Sequence, residues 1–178
     1  YWLMLLVIGG YFGRIQAQFI ESDTVFTYYD QFNKAVSYFE SGRYRLAENE
    51  FQRILTDEKE FYDPASHLML AKSQFRQGKL SESQRTCRSF LNTFPNNPYE
   101  FHVVALLGDL LIHNKNYSIA MERFLSIRPV ITDSLFLREI DNRIVSCISI
   151  GLKSEHIERI LFNESNDINR AILNLARG

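Results

Sequence analysis

The chain has 178 residues, 46% of them hydrophobic and 23% charged, a balance that belongs to a packed globular protein and excludes wholesale disorder. Twenty Lys and Arg against 21 Asp and Glu leave a net charge of −1, without the basic excess that a general nucleic-acid-binding surface shows. Eight Gly and 4 Pro are few for an all-β chain built on tight turns, whereas 14 Phe and 9 Tyr supply bulky material for a helical core.

The chain opens on Tyr1 rather than Met, as a fragment or a processed chain would. Residues Tyr1 to Gly13 are uncharged and apolar, and polar residues follow from Arg14 onward. Thirteen such residues fall short of the roughly 20 that a bilayer-spanning helix needs. They match the length of a signal-peptide h-region, and Ile15-Gln16-Ala17 offers a small-residue cleavage site. Residues 1–17 therefore read first as a signal peptide, with a truncated membrane anchor or a buried first helix as the alternatives, and residues 18–27 as a linker. No Cys follows the apolar run to accept a lipid.

From residue 28 onward the pattern is helical. Phe32, Ala35, Val36 and Phe39 recur at one-face spacing before Gly42. The segment SGRYRLAENEFQRIL from Ser41 then aligns with QGKLSESQRTCRSFL from Gln77 and NKNYSIAMERFLSI from Asn114. Matching positions are Tyr44, Leu80 and Tyr117; Ala47, Ser83 and Ala120; and Phe51, Cys87 and Phe124, at offsets of 36 and 37 residues. Each segment follows a helix of its own, with Leu68, Ala71 and Phe75 before Gly78 and Val103, Leu106, Leu107, Leu110 and Leu111 before Asn114. Asp63-Pro64 and Asn97-Pro98 read as helix starts, pairing a capping residue with proline at the first helical position. Gly42 and Gly78 read as the turns. The unit is thus a pair of antiparallel helices repeated in tandem.

These residues carry a resemblance to the tetratricopeptide repeat (TPR) family. The second unit fits through Leu70, Ala71, Phe75, Gly78, Leu80, Ser83, Phe90, Leu91 and Pro95, the first through Gly42, Tyr44, Ala47 and Phe51, and the third through Leu107, Gly108, Tyr117, Ala120 and Phe124. The phrases FESGRY, QGKL and TFPNNPY are similar to those of bacterial envelope members, of the outer-membrane assembly lipoprotein and Tol-Pal coordinator types. The resemblance implies an all-α superhelix of stacked helix pairs, with units at 28–61, 64–97 and 98–129. Beyond Pro129, Ile140, Ile144 and Ile148 form another stripe, Ser154 to Phe162 a degenerate partner helix, and Ile168, Ala171, Ile172 and Leu175 one face of a last helix opened by Asn166-Asp167. Residues 130–178 read as a degenerate fourth pair with a capping helix.

Catalytic chemistry finds little support. The histidines are His67, His102, His113 and His156, with no H-x-x-x-H pair. His102 and His113 share a helix face but stand about 16 Å apart at the standard rise, too far for one metal. Glu155 and Glu158 are first-turn acids of a helix rather than an acid/base pair. Cys87 takes the apolar position of Phe51 and Phe124, as a buried structural thiol would. Gly9-Gly10 sits in the apolar leader, and no G-x-S-x-G turn occurs. No enzyme activity, metal or cofactor is expected.

What remains is surface. The resemblance implies that the first helix of each unit lines a concave groove, which carries over to Tyr29, Phe32, Val36, Phe39, Leu68, Lys72, Phe75, Arg76, His102, Asp109, Ile112 and His113. Phe39, Phe75 and Arg76 rank first, since aromatics and Arg dominate interfaces. Family members that clamp a carboxyl terminus do so with Lys and Asn at positions held here by Phe32 and Val36, which speaks against that mode. The expected function is a non-catalytic scaffold, exported to the periplasm or outer membrane of a bacterial envelope, that binds a protein or peptide partner and not nucleic acid, with no stable membrane span after cleavage and homo-oligomerisation open. A helical accessory domain of a longer envelope enzyme or solute-binding protein is the competing reading.

Overall fold

A computed structural model of the chain describes residues 28–56 and 63–177. The expected leader and linker, and the end of the first unit, lie outside these residues. Everything described is helix and connection, with no strand among the described residues. α1 covers 28–40, and α2 (Tyr44–Thr56), α3 (Pro64–Arg76), α4 (Leu80–Thr93), α5 (Glu100–His113) and α6 (Tyr117–Ile127) follow. After a 3-10 turn (Arg128–Val130) come α7 (Ser134–Gly151), α8 (Ser154–Asn163) and α9 (Asp167–Arg177). Consecutive helices from α2 to α7 pack on one another, and α3 also meets α5. This is the stacked helical-repeat architecture that the sequence pattern predicts.

Local chemistry starts and stops the helices. Asp63 caps α3, its Oδ1 accepting from Ala65 N at 2.9 Å with Pro64 in the first turn. The other carboxylate oxygen accepts from the Tyr28 hydroxyl, which ties the start of α1 to the start of α3. Gly42 and Gly78 turn the chain at φ +75° and +77°, a region open to glycine without steric cost. In the third hairpin Lys115 adopts φ 59° at the equivalent turn. Asn97-Pro98 behaves differently from expectation: Asn97 Oδ1 accepts from Tyr99 N at 3.0 Å to close a turn, and α5 begins only at Glu100.

The core is a series of layers threaded by shared helices. Ala35, Ala47, Phe51, Ile54 and Leu70 form the first, and Leu68, Ala71, Cys87, Phe90, Val103, Leu106 and Leu110 belong to the second. Ala105, Ala120, Phe124, Ile140, Ile144, Cys147, Ile157 and Leu173 belong to the third. α3 feeds two layers from opposite sides, as α5 does. Small residues stand where helices cross. Ala47, Ser83 and Ala120 are wholly buried, and Ser83 also donates to the Ala71 carbonyl across the hairpin at 2.8 Å. At Gly108 an added Cβ would stand 2.4 Å from the ring of the fully buried Phe124.

The last helix corrects one expectation. α9 buries Asn169 and Leu173 with Ile172 half-buried, while Ile168 and Ala171 are exposed. The inward face is therefore 169–172–173 rather than 168–171–172–175, and the Leu175 side chain lies outside the described residues. A polar residue holds the inward position because its amide nitrogen donates to the Leu125 carbonyl of α6 at 3.0 Å.

Polar links join the layers. Glu48 on α2, 6% exposed, accepts from Lys79 Nζ at 2.6 Å and from Gln77 Nε2 at 2.8 Å, both at the α3–α4 turn. Burial alone raises its pKa, but the two donors outweigh that and hold the carboxyl below its usual value. Arg128 grips Asp141 on α7 with Nε–Oδ1 at 2.6 Å and Nη2–Oδ2 at 3.1 Å.

Two predictions follow from this packing. Gly108→Ala should lower unfolding stability by about 1–2 kcal/mol despite alanine's better helix propensity, because the buried Phe124 ring cannot swing aside; urea titration measures it. Glu48→Gln should cost about 1–2 kcal/mol at pH 7. A carboxyl whose folded-state pKa is depressed contributes fully above its unfolded value of about 4.3 and loses that contribution as the pH falls through the lower folded value. The wild-type advantage over Glu48→Gln should therefore shrink as urea titrations are repeated toward pH 3.

Candidate functional site

The groove candidates separate into two groups. At the α1 end, Tyr29 is exposed and meets the Tyr28 ring edge-on at 5.8 Å. Phe32 is half-buried, its ring 5.7 Å from Phe51, and Phe39 lies 5.3 Å from Tyr44. Val36 packs into the same layer. Much of the apolar surface of Phe32, Val36 and Phe39 is thus spent on holding α1 against α2. Leu68 is buried in the second layer, with Phe75 half-buried against it. Arg76 remains exposed and lays its guanidinium 4.7 Å over the Tyr44 ring. His113 is exposed at the end of α5, and Ile112 packs against the third layer.

The second group is electrostatic and spans the first helices α3, α5 and α7. Asp109 on α5 is held by Arg143 on α7 in a two-pronged ion pair, Nε–Oδ1 2.8 Å and Nη2–Oδ2 3.2 Å. Arg143 also reaches Glu139 one turn back at 3.4 Å. His102 on α5 packs against Phe136 of α7 with ring centres 4.0 Å apart and ring planes tilted by 36°. Lys72 on α3 lies within electrostatic reach of Asp109, Glu139, Arg143 and His102. It has no hydrogen bond or ion pair among the described residues.

Burial governs the titration of this group. It lowers the Lys72 pKa, with Glu139 and Asp109 pulling the other way and Arg143 adding to the fall. Burial and then the Lys72 charge lower the pKa of His102, which favours its neutral form. Burial raises Asp109 against the hydrogen bonds and charge of Arg143. For Arg143 burial is the largest effect and acts downward, but the hydrogen bond and charge of Asp109 overcome it and the guanidinium is held more firmly protonated. The outcome is a neutralised Arg143–Asp109 pair beside a half-buried ammonium and a tilted imidazole–phenyl contact.

The structure brings together Lys72, His102 and Asp109 from among the candidates, and it adds Phe136, Glu139 and Arg143 from the fourth pair. Sequence reasoning missed these three because the repeat fades beyond Pro129. One signal was present: Asp109 is the sole charge in the run Val103 to Ile112, and an acid on so apolar a helix needs a cation from the next. No group of His, Cys, Asp or Glu among the described residues could hold a metal ion. Cys87 and Cys147 are buried free thiols, and burial raises them to about 12 and about 11. No described helix is long and apolar enough to cross a membrane.

In comparisons with known proteins, residues 65–97 match the tetratricopeptide repeat family. The match covers the α3–α4 hairpin, the segment whose sequence spacing fits best, and supports a TPR unit there. No curated protein matches the chain significantly.

Asp109→Asn, which leaves the half-buried Arg143 with only the longer contact to Glu139, should destabilise the chain by about 1–3 kcal/mol. In a double-mutant cycle with Arg143→Met, the second substitution should cost less once the first is made, as chemical denaturation of the four proteins would show.

Proposed function

We propose that the chain is a non-catalytic protein–protein interaction scaffold of a bacterial cell envelope, exported to the periplasm or associated with the outer membrane, where it binds a protein or peptide partner. The observation that carries the interaction role is the face shared by α3, α5 and α7. There Lys72 on α3, His102 and Asp109 on α5 and Arg143 on α7 come from three successive helix pairs, and the Lys72 ammonium makes no ion pair among the described residues. Stacked helix pairs present such a face without any one repeat forming a pocket. The family match to residues 65–97 supports the same role, since TPR repeats generally mediate binding of protein partners. Envelope placement rests on the apolar character of residues 1–13 and on the likeness of FESGRY and TFPNNPY to envelope members.

Photo-crosslinking residues placed in cells at Arg76 and His113, and Lys72→Glu in parallel, test the interaction role. Crosslinks to one partner from these positions, reduced tenfold or more by Lys72→Glu with helicity unchanged in circular dichroism, are expected. Equal crosslinking from exposed Arg88 on α4 and no effect of Lys72→Glu would refute the groove. Cell fractionation with amino-terminal sequencing of the full-length protein tests export, and a cytoplasmic protein would refute the envelope placement alone.

A further inference from the structure

The outer side of α9 is apolar. Its inward positions are Asn169 and Leu173, both fully buried. At about 100° per residue, Ile168 and Ala171 lie about 140° and 160° around the helix from Leu173. Both are exposed, Ile168 by 59%, and Leu175 continues the stripe in the sequence one heptad after Ile168. The exposed Asp167, Arg170 and Asn174 fall together on one flank, so the stripe itself carries no charge. Across the turn that joins α8 to α9, Phe162 is the most exposed of the large hydrophobic residues described.

A helix that closes a repeat array against water carries a polar outer face. α9 does the reverse, with an asparagine inside and an isoleucine outside. The stripe is held outward, because the Asn169 amide donates to the Leu125 carbonyl on α6 and to Glu164 Oε2, both at 3.0 Å. Arg170 adds a second tie, donating from Nη1 to the carbonyls of Leu161 and Glu164 at 3.0 Å. Turning Ile168 inward would break these four bonds, so its cover has to come from outside the α6–α8–α9 packing.

The spacing of the stripe indicates what covers it. Ile168, Ala171, Ile172 and Leu175 are placed symmetrically about the midpoint between 171 and 172. Reversing the helix therefore sets Ile168 opposite Leu175 and Ala171 opposite Ile172. A pattern that reads alike in both directions is what a two-fold interface needs, where one patch meets its own copy. Charge favours the same arrangement. Antiparallel pairing opposes the two helix dipoles and lays Asp167 toward the partner's Asn174 and the carboxyl-terminal end, where the sequence closes on Arg177. Parallel pairing would set Asp167 against its own copy. We propose that α9 pairs with α9 of a second copy of this chain, antiparallel, about a two-fold axis beside Ala171. The small side chain there lets the two backbones approach. Eleven residues of helix bury less than the roughly 800 Å² per partner of a standard interface, so the dimer is weak and concentration-dependent. The pairing uses a helix outside the α3–α5–α7 face and does not rest on the interaction role proposed for that face.

Sedimentation equilibrium of the full chain tests the proposal. A reversible monomer–dimer equilibrium with a dissociation constant on the order of 10–100 μM is expected. Ile168→Glu should weaken it about tenfold or more while helicity in circular dichroism is unchanged, since the residue is exposed in the monomer. Introduced cysteines report the geometry, because the native Cys87 and Cys147 are buried. Mild oxidation should join Ala171→Cys chains into a covalent dimer. In an antiparallel pair the two copies of residue 167 stand about 13 Å apart, beyond the reach of a disulfide, so Asp167→Cys chains should stay single. A wild-type chain still monomeric at about 1 mM, which would hand the stripe to a different occupant, overturns the proposal. So does a dimer that Ile168→Glu leaves intact, or crosslinking of Asp167→Cys as readily as Ala171→Cys.

Discussion

The Phe124 ring lies against the α5 backbone at a point where residue 108 carries no side chain, and a single methylene there would stand 2.4 Å from it. The same constraint recurs along the stack, because Ala35, Ala47, Ser83 and Ala120 are all fully buried where a second helix passes. Helix separation is set by the side chains at the crossing. Small residues at these points let Phe51, Phe90 and Phe124 seat fully and keep each layer in register with the next. The polar face inherits that register. Asp109 and Arg143 meet with two hydrogen bonds only because α5 and α7 are held at one spacing and one rotation.

Where burial follows a period, the amino-acid sequence was informative. The positions Ala47, Ser83 and Ala120, and Phe51, Cys87 and Phe124, align by eye, and each of these residues is wholly buried. Turn glycines were equally legible, because only a left-handed turn makes Gly42 and Gly78 advantageous. Legibility failed where a polar group took an apolar place. α9 turns Asn169 inward because a carbonyl on α6 accepts its amide, and no periodicity count anticipates a partner 44 residues away. It failed also at Asn97, whose side chain closes a turn in preference to capping the helix.

The candidate surface shows a subtler limit. Phe32 and Phe39 carry the helical spacing that both a groove and a core produce, and their rings are engaged with Phe51 and Tyr44. Periodicity reports which residues face a neighbour but not whether that neighbour belongs to the same chain. Charge was the better guide. Asp109, isolated in an apolar helix, pointed toward a partner cation, and that cation came from a region where the repeat spacing had faded. Lys72 has kept its charge in a half-buried place where burial opposes it, which is the kind of local cost that binding surfaces retain.

The two thiols sit in different layers, Cys87 with α3 and α5 and Cys147 with α6 and α8. With pKa values raised to about 12 and about 11, they present at neutral pH a thiolate fraction on the order of one part in 10⁵ and 10⁴ respectively. A closed chain is thus nearly inert to alkylating reagents, and reaction at either sulfur records a moment when its own layer has parted. The protein carries two native chemical clocks, one in the middle of the array and one near its far end. The ratio of their labelling rates reads out whether the stack frays from one side or opens as a whole.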